Sequence, residues 1–170
     1  MAGSLGDPRR AVSEGIAKDV FDLNKKYDWA DFISYFVQDL EMRLANTGVK
    51  DKRYHQKWAD YCRALLPWCS ADDLIVENTR RGMADSYFDL GETDIAEAMY
   101  KEWIEDDPDW GWGYIGWSDF YHFDVKQYDK SEALLLAGYA REELRDKDAL
   151  LERLVDLYED MGKPDKAKEY

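Results

Sequence analysis

Apolar side chains recur along the chain at spacings of three and four residues, a period that predicts amphipathic helices. In residues 11–24 these positions are Val12, Ile16, Val20 and Leu23. Asp28 can cap a second helix. The apolar stripe of this second helix contains Trp29, Phe32, Ile33, Phe36, Val37, Leu40 and Leu44. Asn46-Thr47-Gly48 ends it.

Two further helices follow before residue 91. The third covers residues 51–66, with Pro67 as its stop. Its apolar face is formed by Tyr54, Trp58, Tyr61, Cys62 and Leu65. Ser70 and Asp73 have the spacing of a capping box at the start of the fourth helix, which Gly91 closes. No window alternates with a period of two, so we expect no β-sheet.

One stretch fits the tetratricopeptide repeat, a helix pair marked by large, small and aromatic residues at fixed positions and by a closing proline. Residues 77–108 supply these positions as Arg80, Met83-Ala84, Tyr87, Leu90-Gly91, Ala96, Tyr100 and Pro108. The alanines permit the two helices to approach closely. Gly91 suits the left-handed turn between them.

The same pattern returns twice. Its second copy has Tyr114, Trp117-Ser118 and Tyr121, each 34 residues after its counterpart. Ser131 and Leu135 follow one residue late, so residues 122–127 hold an insertion and lack the glycine. A third copy begins near Asp148 and contains Leu151, Leu154-Val155, Tyr158, Met161-Gly162 and Ala167.

A longer stretch carries a family resemblance. The run Asp107-Pro-Asp-Trp-Gly-Trp-Gly-Tyr-Ile-Gly-Trp117, preceded by Asn78-Thr-Arg-Arg81, resembles a group of uncharacterised Firmicutes proteins with tetratricopeptide helices. Many of those proteins end in a Cys-rich SEC-C metal-binding motif. The resemblance covers roughly residues 75–170 and implies a repeat fold. The Cys-rich motif has no counterpart here, so no metal site carries over.

We therefore predict an all-α fold, a short right-handed α-α superhelix of tetratricopeptide-like hairpins with an N-terminal helical cap. Residues 1–10 form a disordered leader. Residues 11–76 form a helical region that is either a cap or a degenerate repeat. The repeats occupy residues 77–110 and 111–147, with a partial copy in residues 148–170.

Charge narrows the class of partner. The formal net charge is −14, so phosphate backbones repel the chain and we expect no direct nucleic-acid binding. An acidic surface favours basic partners, or serves solubility alone. No apolar run reaches membrane-spanning length and the N-terminus has no signal-peptide core. We expect a cytoplasmic protein without membrane contact.

The concave face of such a solenoid is lined by the first helix of each pair. The partner-binding residues predicted on this basis are Asn78, Arg81, Asp85, Phe88, Trp112, Ile115, Asp119, His122, Glu152 and Asp156. The carboxylates favour Lys or Arg on the ligand. Arg81 either holds a carboxylate or phosphate, or pairs with Asp85 one turn away.

The run Trp110-Gly-Trp112-Gly-Tyr114 is open to two interpretations. Its glycines weaken helix propensity but permit close backbone approach. The aromatic rings either anchor a partner or pack between helix pairs, with Trp110 and Trp117 as the wedges. Trp112 is the best candidate for a contact that faces solvent.

Catalytic signatures are missing from the sequence. There is no phosphate-binding loop, no dinucleotide fingerprint and no triad motif. His55, Cys62 and Cys69 are seven residues apart, but Pro67 interrupts the helix that would align them for zinc. We expect neither enzymatic activity nor a metal or other cofactor.

Three functions remain. The first is a protein-interaction module that binds a peptide or protein segment in the concave groove. The second is a self-associating scaffold, a homodimer through an apolar C-terminal edge formed by Leu150, Leu154, Leu157 and Tyr158. The third is an acidic decoy that sequesters a basic nucleic-acid-binding protein.

Overall fold

The regular structure is helical wherever a computed structural model of the chain describes it, in residues 12–15, 17–26, 32–69 and 74–170. The helices are α1 (Asp22–Lys26), α2 (Phe32–Gly48), α3 (Arg53–Leu65), α4 (Leu74–Leu90), α5 (Thr93–Asp106), α6 (Gly111–Asp119), α7 (Tyr128–Tyr139), α8 (Lys147–Asp160) and α9 (Pro164–Ala167). A 3-10 turn spans Leu66–Trp68 and a π-turn spans Phe120–Asp124. The all-α class is confirmed, and the predicted leader lies outside the described residues.

The chain divides into two compact units, Met1–Gly91 and Glu92–Tyr170. The boundary falls within the predicted first repeat, residues 77–110, so α4 belongs to the first unit and α5 to the second. The superhelical arrangement of the repeats stays a prediction.

In the first unit, α2, α3 and α4 pack against one another. Small residues bring α3 and α4 close together. A Cβ atom on Gly82 would lie 2.6 Å from the Trp58 ring, and Ala84 is fully buried. The segment before α2 joins this core, because Val20 and Phe21 pack with Val37 and Ile75.

The continuous helix predicted for residues 11–24 is wrong. Gly15 has a φ of +70°, and residues 17–20 are bends, so helix α1 begins only at Asp22. Asp19 explains this start: its Oδ1 accepts hydrogen bonds from the backbone N–H groups of Phe21 and Asp22, both at 2.9 Å. A short polar side chain thus competes with helical backbone bonding.

The predicted apolar stripe of the second helix is also only half right. Val37 is buried and Ile33 is half-buried, but Phe32 is 62% exposed and Phe36 is 55% exposed. Apolar residues surround most of the α2 circumference, and only one side of a helix can face its own unit. Asp28, Trp29, Ser70 and Asp73, named in the sequence as caps or core, lie outside the described residues.

The core of the second unit is formed by α6, α7, α8 and α9. Its buried members are Tyr114, Ile115, Leu135, Leu144, Leu150, Leu154, Leu157, Tyr158 and Ala167. The prediction that these C-terminal residues form an exposed apolar edge is therefore wrong. Leu150, Leu154 and Leu157 are 0% exposed. Short α9 packs on α8, and the Tyr170 ring stacks on Tyr158 at 5.7 Å.

Three residues with positive φ end the first helices of the predicted pairs: Gly91 (+86°), Lys126 (+57°) and Gly162 (+69°). The insertion predicted within residues 122–127 begins slightly earlier, as the π-turn. There Val125 N–H bonds to Phe120 C=O at 3.2 Å, which adds one residue to the turn. Lys126 then adopts the left-handed conformation that glycine adopts in the other two turns.

Two tyrosines of the second unit make matching contacts. Tyr121 donates to Glu97, and Lys130 binds the same carboxylate at 2.5 Å. Further along the chain, Tyr158 donates to Glu132 at 2.8 Å, and Lys166 binds that carboxylate at 3.1 Å. Each lysine also lies over its tyrosine ring.

The first unit contains a variant of this contact. The guanidinium of Arg63 on α3 bonds to the Tyr87 hydroxyl on α4. Arg63 precedes Tyr87 by 24 residues, as Glu97 precedes Tyr121. This contact joins α3 to α4 within the first unit, and the choice between a cap and a degenerate repeat for residues 11–76 stays a prediction.

Candidate functional site

Four of the predicted partner-binding residues lie on α4 in the first unit. Asn78 is exposed, while Arg81 and Asp85 are half-buried. Phe88 is 7% exposed, so it presents little surface to a partner. Pairing of Arg81 with Asp85 stays a prediction.

The other six belong to the second unit. Ile115 is 1% exposed and His122 is 0% exposed, so their side chains face the interior. Trp112 is half-buried and packs against the core, so less of it faces solvent than the sequence suggested. Asp119 is half-buried, and Glu152 and Asp156 are exposed.

The aromatic run at the start of α6 serves packing. Trp110 is 1% exposed and meets the edge of Trp103, while Trp117 stacks on Tyr100 at 6.0 Å. The glycines are needed for close approach, as the sequence indicated. A Cβ on Gly111 would lie 2.0 Å from the Arg145 carbonyl oxygen.

Arg153 joins two of the predicted residues into one site. Its Nε lies 2.7 Å from Asp119 Oδ1, and its Nη1 lies 3.1 Å from Asp156 Oδ2. The sequence prediction missed Arg153 because it selected positions equivalent to those of the first repeat. The sequence feature that could have identified Arg153 is its position one helical turn before Asp156, where a basic side chain can pair with the carboxylate.

An aromatic ring lies beside this ion-pair network. Phe123 is 43% exposed, with the Arg153 guanidinium 5.1 Å from its ring centre and Lys126 Nζ at 5.9 Å. The ring stacks on His122, whose Nε2 lies 2.9 Å from Asp160 Oδ2.

These contacts tie the end of α6 and the π-turn to one side of α8. We call this surface the acidic α6–α8 face; its members are Asp119, Phe123, Glu152, Arg153, Asp156 and Asp160. Glu152, Asp156 and Asp160 recur every four residues of α8, and Arg153 lies one turn before Asp156, so the four residues share one side of the helix. Two of the four carboxylates, Asp119 and Asp156, pair with the Arg153 guanidinium, and Asp160 contacts His122, on which the exposed Phe123 ring stacks.

The surrounding charge reinforces this face. Residues 92–170 contain 22 Asp and Glu but only 10 Lys and Arg, which is −12 of the chain's −14. A positive group near this unit meets an attractive field before it makes any contact.

A second polar cluster is buried in the first unit. Glu41 Oε1 accepts a hydrogen bond from Thr79 Oγ1 at 2.7 Å, and Cys62 Sγ lies 3.9 Å away. Burial raises the pKa of Glu41 and, aided by the nearby carboxylate, raises the pKa of Cys62. A buried thiol that stays protonated is a poor nucleophile. We therefore regard this cluster as part of the packed interior of the first unit.

The residues considered for metal binding do not meet in one site. Cys62 and Cys69 are both free thiols, and His55 lies beside Asp89 at 3.3 Å. Within the described residues, no group of three or more His, Cys, Asp or Glu side chains is arranged to hold a metal ion.

Comparisons with protein-family models, with curated proteins and with solved structures found no match to this chain. None of the helices in the described part has both the length and the apolar character that a membrane crossing requires.

Proposed function

We propose that the protein is a non-enzymatic interaction module, cytoplasmic in location, that binds a basic peptide or protein segment on the acidic α6–α8 face. The observation that carries this proposal is Arg153, which pairs with Asp119 and Asp156 and lies against the exposed ring of Phe123. Asp160 contacts His122, on which the same ring stacks, and exposed Glu152 precedes Arg153 on α8. Carboxylates beside an aromatic ring suit a ligand with Arg or Lys among apolar residues.

Arg153 shows how a guanidinium fits here. It pairs with two carboxylates and lies against the Phe123 ring. A ligand side chain can use the same chemistry on the carboxylates that remain. Glu152 is exposed, and the Asp156 and Asp160 side chains are 55% and 52% exposed.

The acidic decoy is the second candidate, since residues 92–170 carry so much negative charge. The two functions differ in what determines affinity. A decoy responds to the total charge of the unit, whereas a binding face responds to the position of each carboxylate. Both weaken with added salt, so salt alone does not separate them.

The test is a peptide-binding titration. Fluorescently labelled peptides rich in Arg and Leu, with acidic peptides of equal length, are titrated with the wild type and two double variants. Glu152→Lys/Asp156→Lys changes the proposed face. Glu142→Lys/Glu143→Lys makes the same charge change at exposed residues outside it.

We expect the face variant to lose at least about tenfold in affinity and the control no more than about twofold. Equal losses in both variants would establish the decoy instead. If no basic peptide binds the wild type at low salt, the interaction proposal fails. Far-UV circular dichroism checks that both variants fold.

A further inference from the structure

The outer side of α2 is apolar. Phe32, Tyr35, Phe36 and Met42 are 62%, 67%, 55% and 57% exposed, and Val49, directly after the helix, is 83% exposed. The rings of Phe32 and Phe36 stack with centroids 6.4 Å apart. These five residues, with Asp39 and Arg43 between them, are called the outer α2 face.

The inner side of the same helix contains a carboxylate. Val37, Glu41 and Gly48 are buried, and they lie opposite the outer α2 face because successive residues turn by about 100°. A surface helix normally presents polar residues to water and apolar residues to the core. α2 departs from this arrangement, and a group of exposed apolar side chains of this kind, here interrupted by the Asp39–Arg43 ion pair and Asn46, marks an interaction surface.

The area is sufficient for a specific contact. Four side chains of this size, each more than half exposed, offer about 500 Å² per copy. Two such faces together bury about 1,000 Å², close to the lower limit for a specific protein interface.

We propose that the outer α2 face pairs with the same face of a second copy of this chain. The charge distribution of the chain supports a second copy as the partner of this face. Two copies that each carry −14 repel one another wherever their acidic surfaces approach. The outer α2 face is an exception, because its charged residues are one Asp39 and one Arg43, joined by an ion pair of 2.6 Å.

The positions of these residues also fit a two-fold axis. If two α2 helices pack antiparallel about an axis near residue 41, Asp39 lies opposite Arg43 of the second copy. In the same register Phe32 lies opposite Lys50, the residue after Val49, and the two Met42 side chains lie near the axis. Such self-complementarity is what a symmetric dimer requires.

This inference goes beyond the proposed function, because it concerns the first unit and the acidic α6–α8 face belongs to the second. The dimer can form whether or not a basic ligand binds, so either proposal can fail alone.

The first test is sedimentation equilibrium of the full 170-residue chain from micromolar to millimolar concentration. We expect a monomer–dimer equilibrium whose dissociation constant rises at least about tenfold in Phe36→Glu. Ile95→Glu is the matched control, because Ile95 is another exposed apolar residue, at 42%, and lies in the second unit. A wild type that stays monomeric throughout, or equal effects of both variants, overturns the proposal.

A charge exchange tests the register with variants that leave the apolar residues intact. Asp39→Arg places two positive groups opposite each other, and Arg43→Asp places two negative groups opposite each other. Each variant alone should dimerise more weakly than the wild type, and an equimolar mixture should regain the dimer as a heterodimer. A mixture no better than its components overturns the antiparallel pairing.

Discussion

Glu41 on α2 and Thr79 on α4 are joined inside the first unit by a hydrogen bond of 2.7 Å from the hydroxyl to the carboxylate. The carboxylate is buried, and burial raises its pKa above the ordinary value of a glutamate. One bond from Thr79 and a weak contact from Cys62 replace its water shell, which leaves the ionised form poorly solvated.

The first prediction concerns pH. A carboxyl group with a raised native pKa binds its proton more tightly in the folded state. The contribution of Glu41 to stability is therefore greatest below the ordinary glutamate pKa and is lost as pH rises through the native value. We expect Glu41→Gln to be more stable than the wild type at neutral pH and to lose that advantage near pH about 4.

Urea unfolding between weakly acidic and neutral pH measures this difference. Glu92→Gln is the control, because it makes the same chemical change at an exposed position. If Glu41→Gln destabilised the protein equally at every pH, that result would contradict a raised pKa for the buried Glu41 carboxylate.

The second prediction concerns Gly111. An alanine there would place its Cβ 2.0 Å from the backbone oxygen of Arg145, where no flexible side chain can move aside. We expect Gly111→Ala to lower the free energy of unfolding by about 3 kcal/mol or more.

Gly162→Ala is the comparison, since a Cβ at Gly162 meets open space and only the positive φ of +69° opposes it. Its cost should be about 1 kcal/mol. Equal costs in chemical denaturation would show that the α6 backbone can shift away from Arg145.

The third prediction concerns the turn after the π-turn. Lys126 has a φ of +57°, a conformation that costs a non-glycine residue about 1 kcal/mol. Lys126→Gly should therefore raise the thermal midpoint. Lys163→Gly should lower it, because Lys163 has a φ of −114° and glycine only adds freedom to the unfolded chain there.

The fourth prediction concerns the matching tyrosine contacts. A double-mutant cycle of Tyr158→Phe and Glu132→Gln should show a coupling energy of about 0.5–1.5 kcal/mol, because the hydroxyl donates directly to that carboxylate. The cycle of Tyr121→Phe and Glu97→Gln should give a value of the same sign. Zero coupling in one cycle alone would show that the two contacts are not equivalent.

The sequence predicted the helical class well because the signals of individual helices are local. Spacings of three and four marked the apolar faces, and Gly91 and Gly162 do adopt the positive φ expected between paired helices. The missing glycine and the extra residue predicted in residues 122–127 indicated an irregular turn, which the structure places two residues earlier, at Phe120–Asp124.

Other features depend on contacts that a single sequence does not display. The turn at Asp19 uses side-chain bonds to the backbone, which compete with a helical pattern of the same period. The orientation of α2 was ambiguous because apolar residues lie on both of its sides. Arg153 was missed because its ion pair with Asp119 on α6 depends on packing as well as on spacing.

Because of the π-turn at Phe120–Asp124, this part of the chain can be one residue longer without a change in the orientation of the helices that follow. The wider turn is contained within Phe120–Asp124, and the following helices bring Tyr158, Glu132 and Lys166 together as Tyr121, Glu97 and Lys130 are brought together. Alignments of such chains should therefore allow a gap at this turn. A designer could likewise insert a residue here to vary the loop chemistry without rebuilding the modules downstream.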